Sequence, residues 1–323
     1  MPDTYTSQFS GEEIDSALRA AQIISGADTP AALREKLEIY GSNTALSPTD
    51  PTTVETALKY RSNPNLLDNW YFGRPVNQRG QAEYTGDKYT VDRWHLTTDG
   101  VLTVADEGIR LTSGALFEPF EYELSSFLKG KTVTYSFFFA DNTLVTKSAV
   151  IPSTWGNWDS LIEIGDIQLI GLESGKRIWA RCSSTTTAVA AKLELGSTQT
   201  LAHKEGDKWV LNEIPDFGEQ LRRCQMYYLG DTQRDGYGKS TSNNEIYVVV
   251  PLPATMRAKP VIASSSKWGN LISGDGEITG ISSIEVAALM DNLVILRVVT
   301  NSTISTNKAF IMTDTRFALS ADL

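Results

Sequence analysis

Between residues 89 and 200 the chain is written in short stretches of β-branched and aromatic residues separated by Gly, Asp and Asn. They are YTVDRWHL, VLTV, GIRLT, GKTVTYSFFF, LVTKSAVI, DIQLIGL, KRIWARC and TTAVAAKLEL. Recurrence at this spacing predicts the strands of an antiparallel sandwich. TVTYSFFF alternates and then becomes continuously apolar, as a central strand covered on both faces does. AVAAKLELG instead places Val189, Ala191, Leu193 and Leu195 on one inward face. A connector over 201–227 follows, in which Asp216 is positioned to cap a short helix through Leu221. A second all-β unit then occupies 228–323, with NNEIYVVVPLP, AKPVIASS, ISSIEVAALM, NLVILRVV, NKAFIMTD and FALSADL. Pro251 and Pro253 end the strand IYVVV, because proline cannot donate to the ladder. The fold class is mainly β.

Residues 1–62 follow a helical period instead. In FSGEEIDSALRAAQ, Ser10 and Glu13 make a capping box, Phe9 and Ile14 a hydrophobic staple, and Ile14, Leu18 and Ala21 a narrow seam. TPAALREKLEIYG has Thr29 as cap, Pro30 at the first helical position, Leu33, Leu37 and Tyr40 on one face, and Gly41 at the stop. A third segment near Asp50 and Pro51 carries Val54 and Leu58. Helices this short are marginal alone in water, so their seams at Ile14, Leu18, Leu33 and Leu37 are expected to bury against copies of the chain or another protein. That makes 1–62 a helical attachment and assembly region.

Between the two patterns lies NLLDNWYFGRPVNQRG, residues 65–80, where Trp70, Tyr71 and Phe72 stand beside Arg74 and Arg79. In an extended segment Trp70 and Phe72 share one face and Tyr71 takes the other, which reads as a strand entering a core. Arg79, next to Gly80, is expected to bond carbonyls at the strand's end.

Composition narrows what such a chain does. With 323 residues, 41% of them hydrophobic and 21% charged, it has material for large cores. A net charge of −10 argues against a nucleic-acid partner and against an anionic membrane surface, and leaves a polar or neutral partner. MPDTYTSQFS lacks the cationic and apolar regions of a signal peptide, and no run is long enough for a membrane span. Cys182 and Cys224 have no metal-ligand spacing and read as buried thiols. No cofactor or metal is expected.

Catalytic signals are sparse. His95 and His203 are the two imidazoles, and neither sits in a nucleophile motif. His203, near Glu205 and Asp207, reads as part of a solvated loop. Asp159, Glu163 and Asp166 would make a glycosidase pair only at a suitable separation across a sugar. Sugar binding asks for less: an exposed aromatic face with amides and carboxylates for hydroxyls. STWGNWDS offers Trp155 and Trp158, three apart in a context too irregular for a strand, with tucking under the sandwich as the alternative. The loops GDTQRDGYGKSTSNN and SSSKWGNLISGDG each isolate one large aromatic, Tyr237 or Trp268, among small polar residues. Asp235, Asn243, Asn244 and Asn270 stand near them as hydroxyl partners.

The blocks NLLDNWYFGRPVNQRG, YTVDRW, GKTVTYSF, AAKLELGSTQTL running into GEQLRRCQMYY, LPATMRAKPVI and FALSADL together span most of 65–323. In that order they resemble receptor-binding tail-fibre and baseplate proteins of bacteriophages and prophages. FSGEEIDSAL is similar to openings of such virion proteins. The resemblance implies a carbohydrate-binding-module-like jelly roll over 63–200 and a smaller C-terminal β-sandwich tip over 228–323, assembled as a homotrimer. It carries no sugar-binding residue over to a numbered position. The expectation is a structural and receptor-binding component of a phage tail, without enzymatic activity. Its N-terminal region would hold a tail or baseplate protein, its tip would bind bacterial surface polysaccharide, and it would be located in the virion. The alternatives are a carbohydrate-binding accessory module of a bacterial enzyme and a polysaccharide-degrading tailspike.

Overall fold

The alternating stretches become strands, all paired antiparallel, some with the next strand in sequence and others with partners far along the chain. The computed structural model describes residues 62–154, 158–172 and 177–322. The expected helices with Ile14, Leu18, Leu33 and Leu37 lie outside the described residues, as does Trp155. Residues 63–323 fall in one unit. Its first sheet runs β1 (Glu83–Thr85), β4 (Val101–Ala105), β5 (Gly108–Ser113), β12 (Ala188–Leu195), β7 (Thr132–Phe139) and β8 (Leu144–Val150). The second runs β2 (Lys88–Tyr89), β3 (His95–Leu96), β6 (Leu116–Pro119), β11 (Arg177–Cys182), β10 (Ile167–Leu172) and β9 (Trp158–Ile164).

Both sheets feed one hydrophobic cluster. Leu102, Leu111, Tyr135, Phe137 and Leu193 come from the first, and Leu96, Leu116, Ile162, Leu169 and Ile178 from the second. Trp70, Phe72 and Trp94 join it, with the rings of Phe72 and Trp94 5.2 Å apart and edge to face. Tyr71 is half-buried and forms a single bridge to Ala190, so the alternation read across 70–72 holds. Each such aromatic stabilises the fold by roughly 1.5–3 kcal/mol relative to exposure.

Two local readings change. YTVDRWHL is not one strand but β2 and β3 joined by a tight turn in which Arg93 adopts φ 74° and Asp92, Arg93 and Trp94 are buried. In β12 a bulge between Ala188 and Ala190 shifts the phase. Ala191 and Leu193 face the core as expected, Val189 is half-buried and Leu195 is exposed.

The middle of the outward face of the first sheet, on β7 and β12, is sealed. Thr134 and Ser136 of β7 are buried there and bond Ser148 and Thr146 of β8, as a strand covered on both faces requires. A hairpin of β13 (Ala202–Glu205) and β14 (Lys208–Leu211) follows β12. Asn142 ties it on, donating to the Trp209 carbonyl at 2.9 Å and accepting from the Trp209 N–H at 2.8 Å. Lys192 and Glu194, on the outward face of β12, are fully buried. Lys192 pairs with Glu213 at 3.2 Å, and Glu194 accepts from the N–H and hydroxyl of Thr200. His203 is therefore not in a solvated loop: its ring is buried on β13, 2.5 Å from Asn212 Oδ1 and 3.1 Å from Glu205.

Asp216 does cap a helix, accepting from the Glu219 N–H at 2.8 Å, and that helix, α2 (Phe217–Gln225), runs one turn past Leu221. The shorter α1 (Tyr122–Leu128) follows β6. Beyond α2, the strands expected to form a small sandwich close into a barrel. Its order is β16 (Gly236–Ser240), β17 (Glu245–Pro251), β21 (Leu293–Thr300), β20 (Ile278–Met290), β19 (Asn270–Ser273) and β22 (Ala309–Thr313), which returns to β16. Ile246, Val248 and Val250 point inward against Val294, Leu296 and Val298, the alternation legible in IYVVV. A three-stranded sheet of β15 (Tyr228–Gln233), β23 (Arg316–Ser320) and β18 (Val261–Lys267) extends it. These three strands continue into β16, from β22 and into β19, so three adjacent segments bend together. The Arg234 N–H bonds the Thr315 carbonyl at the bend. A Cβ at Gly269 would lie 2.0 Å from the Thr313 carbonyl oxygen, so only glycine fits there.

Residues 65–80 join the sandwich to this C-terminal part. Gln78 donates to Asp92 at 2.6 Å and to the Tyr228 carbonyl at 2.7 Å. Arg79 bonds carboxylates rather than carbonyls: Asp92 at 3.2 Å and Asp322 at 2.6 Å, with its guanidinium 3.8 Å from the Tyr228 ring centroid. Arg93 pairs with Asp68 at 3.1 Å and stacks 3.6 Å from Tyr227, while Arg223 of α2 reaches Asp68 at 2.5 Å. Burial pushes Asp92 up to about 7 against the opposing pull of Gln78 and Arg79, and burial raises Asp322 as well. The two cysteines are buried and free, and burial lifts the Cys182 thiol to about 12.

Candidate functional site

The outward face of the second sheet carries a row of side chains at directly paired positions. Tyr89 of β2 faces His95 of β3, His95 faces Phe117 of β6, and Phe117 faces Arg181 of β11. The row continues through Gln168 of β10 to Glu163 of β9. Paired positions share a face, so this row crosses all six strands. The strand sequence explains it: in RIWARC, Ile178, Ala180 and Cys182 enter the core, and Trp179 and Arg181 must point out.

One end of the row lines an open groove of about 330 Å³, formed by Asp87, Tyr89, His95, Thr97, Thr98, Asp99, Phe117 and Trp179. Its rings are fixed in edge-to-face contacts: Tyr89 with His95 at 4.9 Å, and Phe117 with Trp179 at 5.9 Å. His95 Nε2 lies 3.3 Å from Asp87 Oδ1, which orients the imidazole. The Trp179 indole N–H is buried with no acceptor among the described residues. At the other end Arg181 donates to Gln168 Oε1, and Gln168 Nε2 donates to Glu163 at 3.1 Å, so these polar groups are already paired. The groove combines aromatic surface for the C–H side of a sugar with carboxylates and hydroxyls for its O–H groups. Among the described residues no group of three or more His, Cys, Asp or Glu side chains is gathered to hold a metal ion.

The residues singled out in the sequence are distributed differently. Tyr237, 69% exposed, stands not in a loop but in the middle of β16. It is paired with Val249 and Ile311, and Val249 with Ile295, which makes an apolar strip on the outer barrel wall. Asp235 and Trp268 lie at the shared bend, and Asn270 opens β19 opposite Thr313, so these three flank β22 near Tyr237. Trp268 is 38% exposed, beside an ion pair of Lys267 with Asp314. Asn243 and Asn244 sit at the opposite end of β16, in its turn to β17. There their backbone carbonyls accept from Ile304 at 2.7 Å and Thr300 at 2.9 Å. Trp158 opens a regular strand, β9, paired with Gly171, rather than an irregular loop. Glu163 belongs to that strand, and Asp166 to the turn after it.

Sequence reasoning considered His95 only as a base, and missed Tyr89, Phe117, Trp179, Asp87, Asp99, Thr97 and Thr98. The available signal was a large aromatic in the outward phase of a strand, Phe117 between Leu116 and Glu118 and Trp179 between Ile178 and Ala180. No protein-family model, no curated protein and no solved structure matches the chain, so this site is defined by its own geometry.

Proposed function

We propose that the chain is a non-enzymatic, glycan-binding structural component of a phage tail or related particle, and that the groove at Tyr89, His95, Phe117 and Trp179 holds the glycan. The observation that carries the reading is this groove: three aromatic rings with two carboxylates and two threonines on an open sheet face. In this reading the two sheets over 63–200 are a jelly roll of the carbohydrate-binding-module type, 201–227 is a connector, and 228–323 is the tip. Residues 1–62 attach the chain to a tail or baseplate protein in the virion, and the chain assembles as a homotrimer. Tyr237 is reassigned from sugar contact to contact between chains, which its apolar neighbours Val249 and Ile311 favour.

Binding of purified full-length chain to cell-wall polysaccharide of a sensitive host tests this. Retention by the wild type and its loss in Trp179→Ala, with no reducing ends released, is the expected result. Release of reducing ends, abolished by substituting an Asp or Glu, would establish the tailspike alternative instead.

A further inference from the structure

Carboxylates outnumber basic groups in the groove, two to the single imidazole of His95. Asp87 and Asp99 line it, both exposed, and neither Lys nor Arg does. The Asp99 backbone carbonyl accepts from Ser113 Oγ at 2.7 Å, whereas its carboxylate has no hydrogen bond or ion pair among the described residues. Asp87 contacts His95 through one oxygen and keeps the other available. Two arginines stand close to the groove's rings: Arg79, 5.6 Å from the Tyr89 centroid and ion-paired with Asp92 and Asp322, and Arg181, 5.7 Å from the Phe117 centroid, which donates to the neutral amide of Gln168 and keeps its charge.

A neutral sugar would meet these carboxylates with hydroxyls alone, and an acidic sugar would be repelled. A protonated amine would be attracted both by the carboxylates and by the electron-rich ring of Trp179, the one groove aromatic without an arginine over it among the described residues. We propose that the groove selects a saccharide carrying a positively charged amino group, an unacetylated aminosugar of the glucosamine type. This rests on reading the groove as a saccharide site, and it adds the charge of the ligand.

The experiment compares the glucosamine tetramer with the N-acetylglucosamine tetramer by calorimetry on the full chain, at about pH 5.5 where the amine is charged. The amine-bearing tetramer should bind about tenfold more tightly, a preference that shrinks as salt is added. Asp87→Asn combined with Asp99→Asn should abolish the preference, with an unchanged melting temperature showing that the fold is kept. Equal binding, or tighter binding of the acetylated tetramer, overturns the amine inference but leaves the saccharide site standing. A preference that persists in the double variant overturns the roles of the two carboxylates. Binding of neither tetramer overturns both the inference and the saccharide reading of the groove.

Discussion

The two outward faces of one sandwich have opposite fates. On the first, even a lysine and a glutamate of β12, Lys192 and Glu194, are fully buried and paired with Glu213 and Thr200 on either side of the β13–β14 hairpin. On the second, Phe117 and Trp179 stay half-buried around an open groove. The first face spends its polar groups on one another: Glu194 on Thr200, Lys192 on Glu213, Asn142 on Trp209. The second leaves the buried Trp179 N–H without an acceptor among the described residues, beside the exposed carboxylate of Asp99. A buried polar group is costly unless bonded, so the satisfied face reads as architecture and the unsatisfied one as a binding surface.

Substitution on the sealed face should have the largest effect. Glu194→Ala leaves the N–H and hydroxyl of Thr200 buried without their acceptor, so stability should fall by about 2–4 kcal/mol. Thermal denaturation should show a drop of roughly 5–10 °C, while glycan affinity per folded molecule stays constant. A variant as stable as wild type would mean that the bonds from Thr200 to Glu194 do not hold this face closed.

The junction, where buried Asp92 and half-buried Asp322 pair with Arg79, should show itself through pH. Asp92 is raised to about 7 from an ordinary carboxylate value of 3.8, so between those values the folded chain holds a proton that the unfolded chain has released. Its stabilising contribution is full below the unfolded value and is lost as pH rises through about 7. Between pH 5 and 7 this group alone should make stability fall by up to about 1.4 kcal/mol per pH unit. Asp92→Asn should flatten that slope in a denaturation series. An unchanged slope would assign the effect to other junction acids, Asp322 first among them.

These two features were unequally legible in the sequence. The strands themselves were, because Ile246, Val248 and Val250 or Val294, Leu296 and Val298 alternate with polar or outward positions in a way one burial pattern explains. The burial of Trp70 and Phe72 followed from the same period. The groove was not, because the stretch with Tyr89 and His95 meets Phe117 and Trp179 only through the spatial order β2-β3-β6-β11, in which β6 and β11 are far apart in the chain. Barrel closure was hidden for the same reason, since it depends on β22 pairing with both β16 and β19. Arg79 was misread because its acceptors, Asp92 and Asp322, are remote in the chain.

The smallest expected effect belongs to the barrel wall. Tyr237 is 69% exposed, so Tyr237→Ala should change stability by no more than about 0.5 kcal/mol, which a denaturation curve will register as near identity. Polysaccharide binding should also be unchanged per chain, whereas light scattering should show weakened self-association. Lost binding with intact self-association would return recognition to the tip.

The central claim, that the open face of the second sheet is the glycan site, is tested most directly by paired binding isotherms against host cell-wall polysaccharide for Trp179→Ala and Trp268→Ala. Trp179→Ala should weaken binding about tenfold or more, the loss of roughly 1.4 kcal/mol, while Trp268→Ala should bind as the wild type does. Binding lost in Trp268→Ala and retained in Trp179→Ala would contradict the account and move recognition to the barrel.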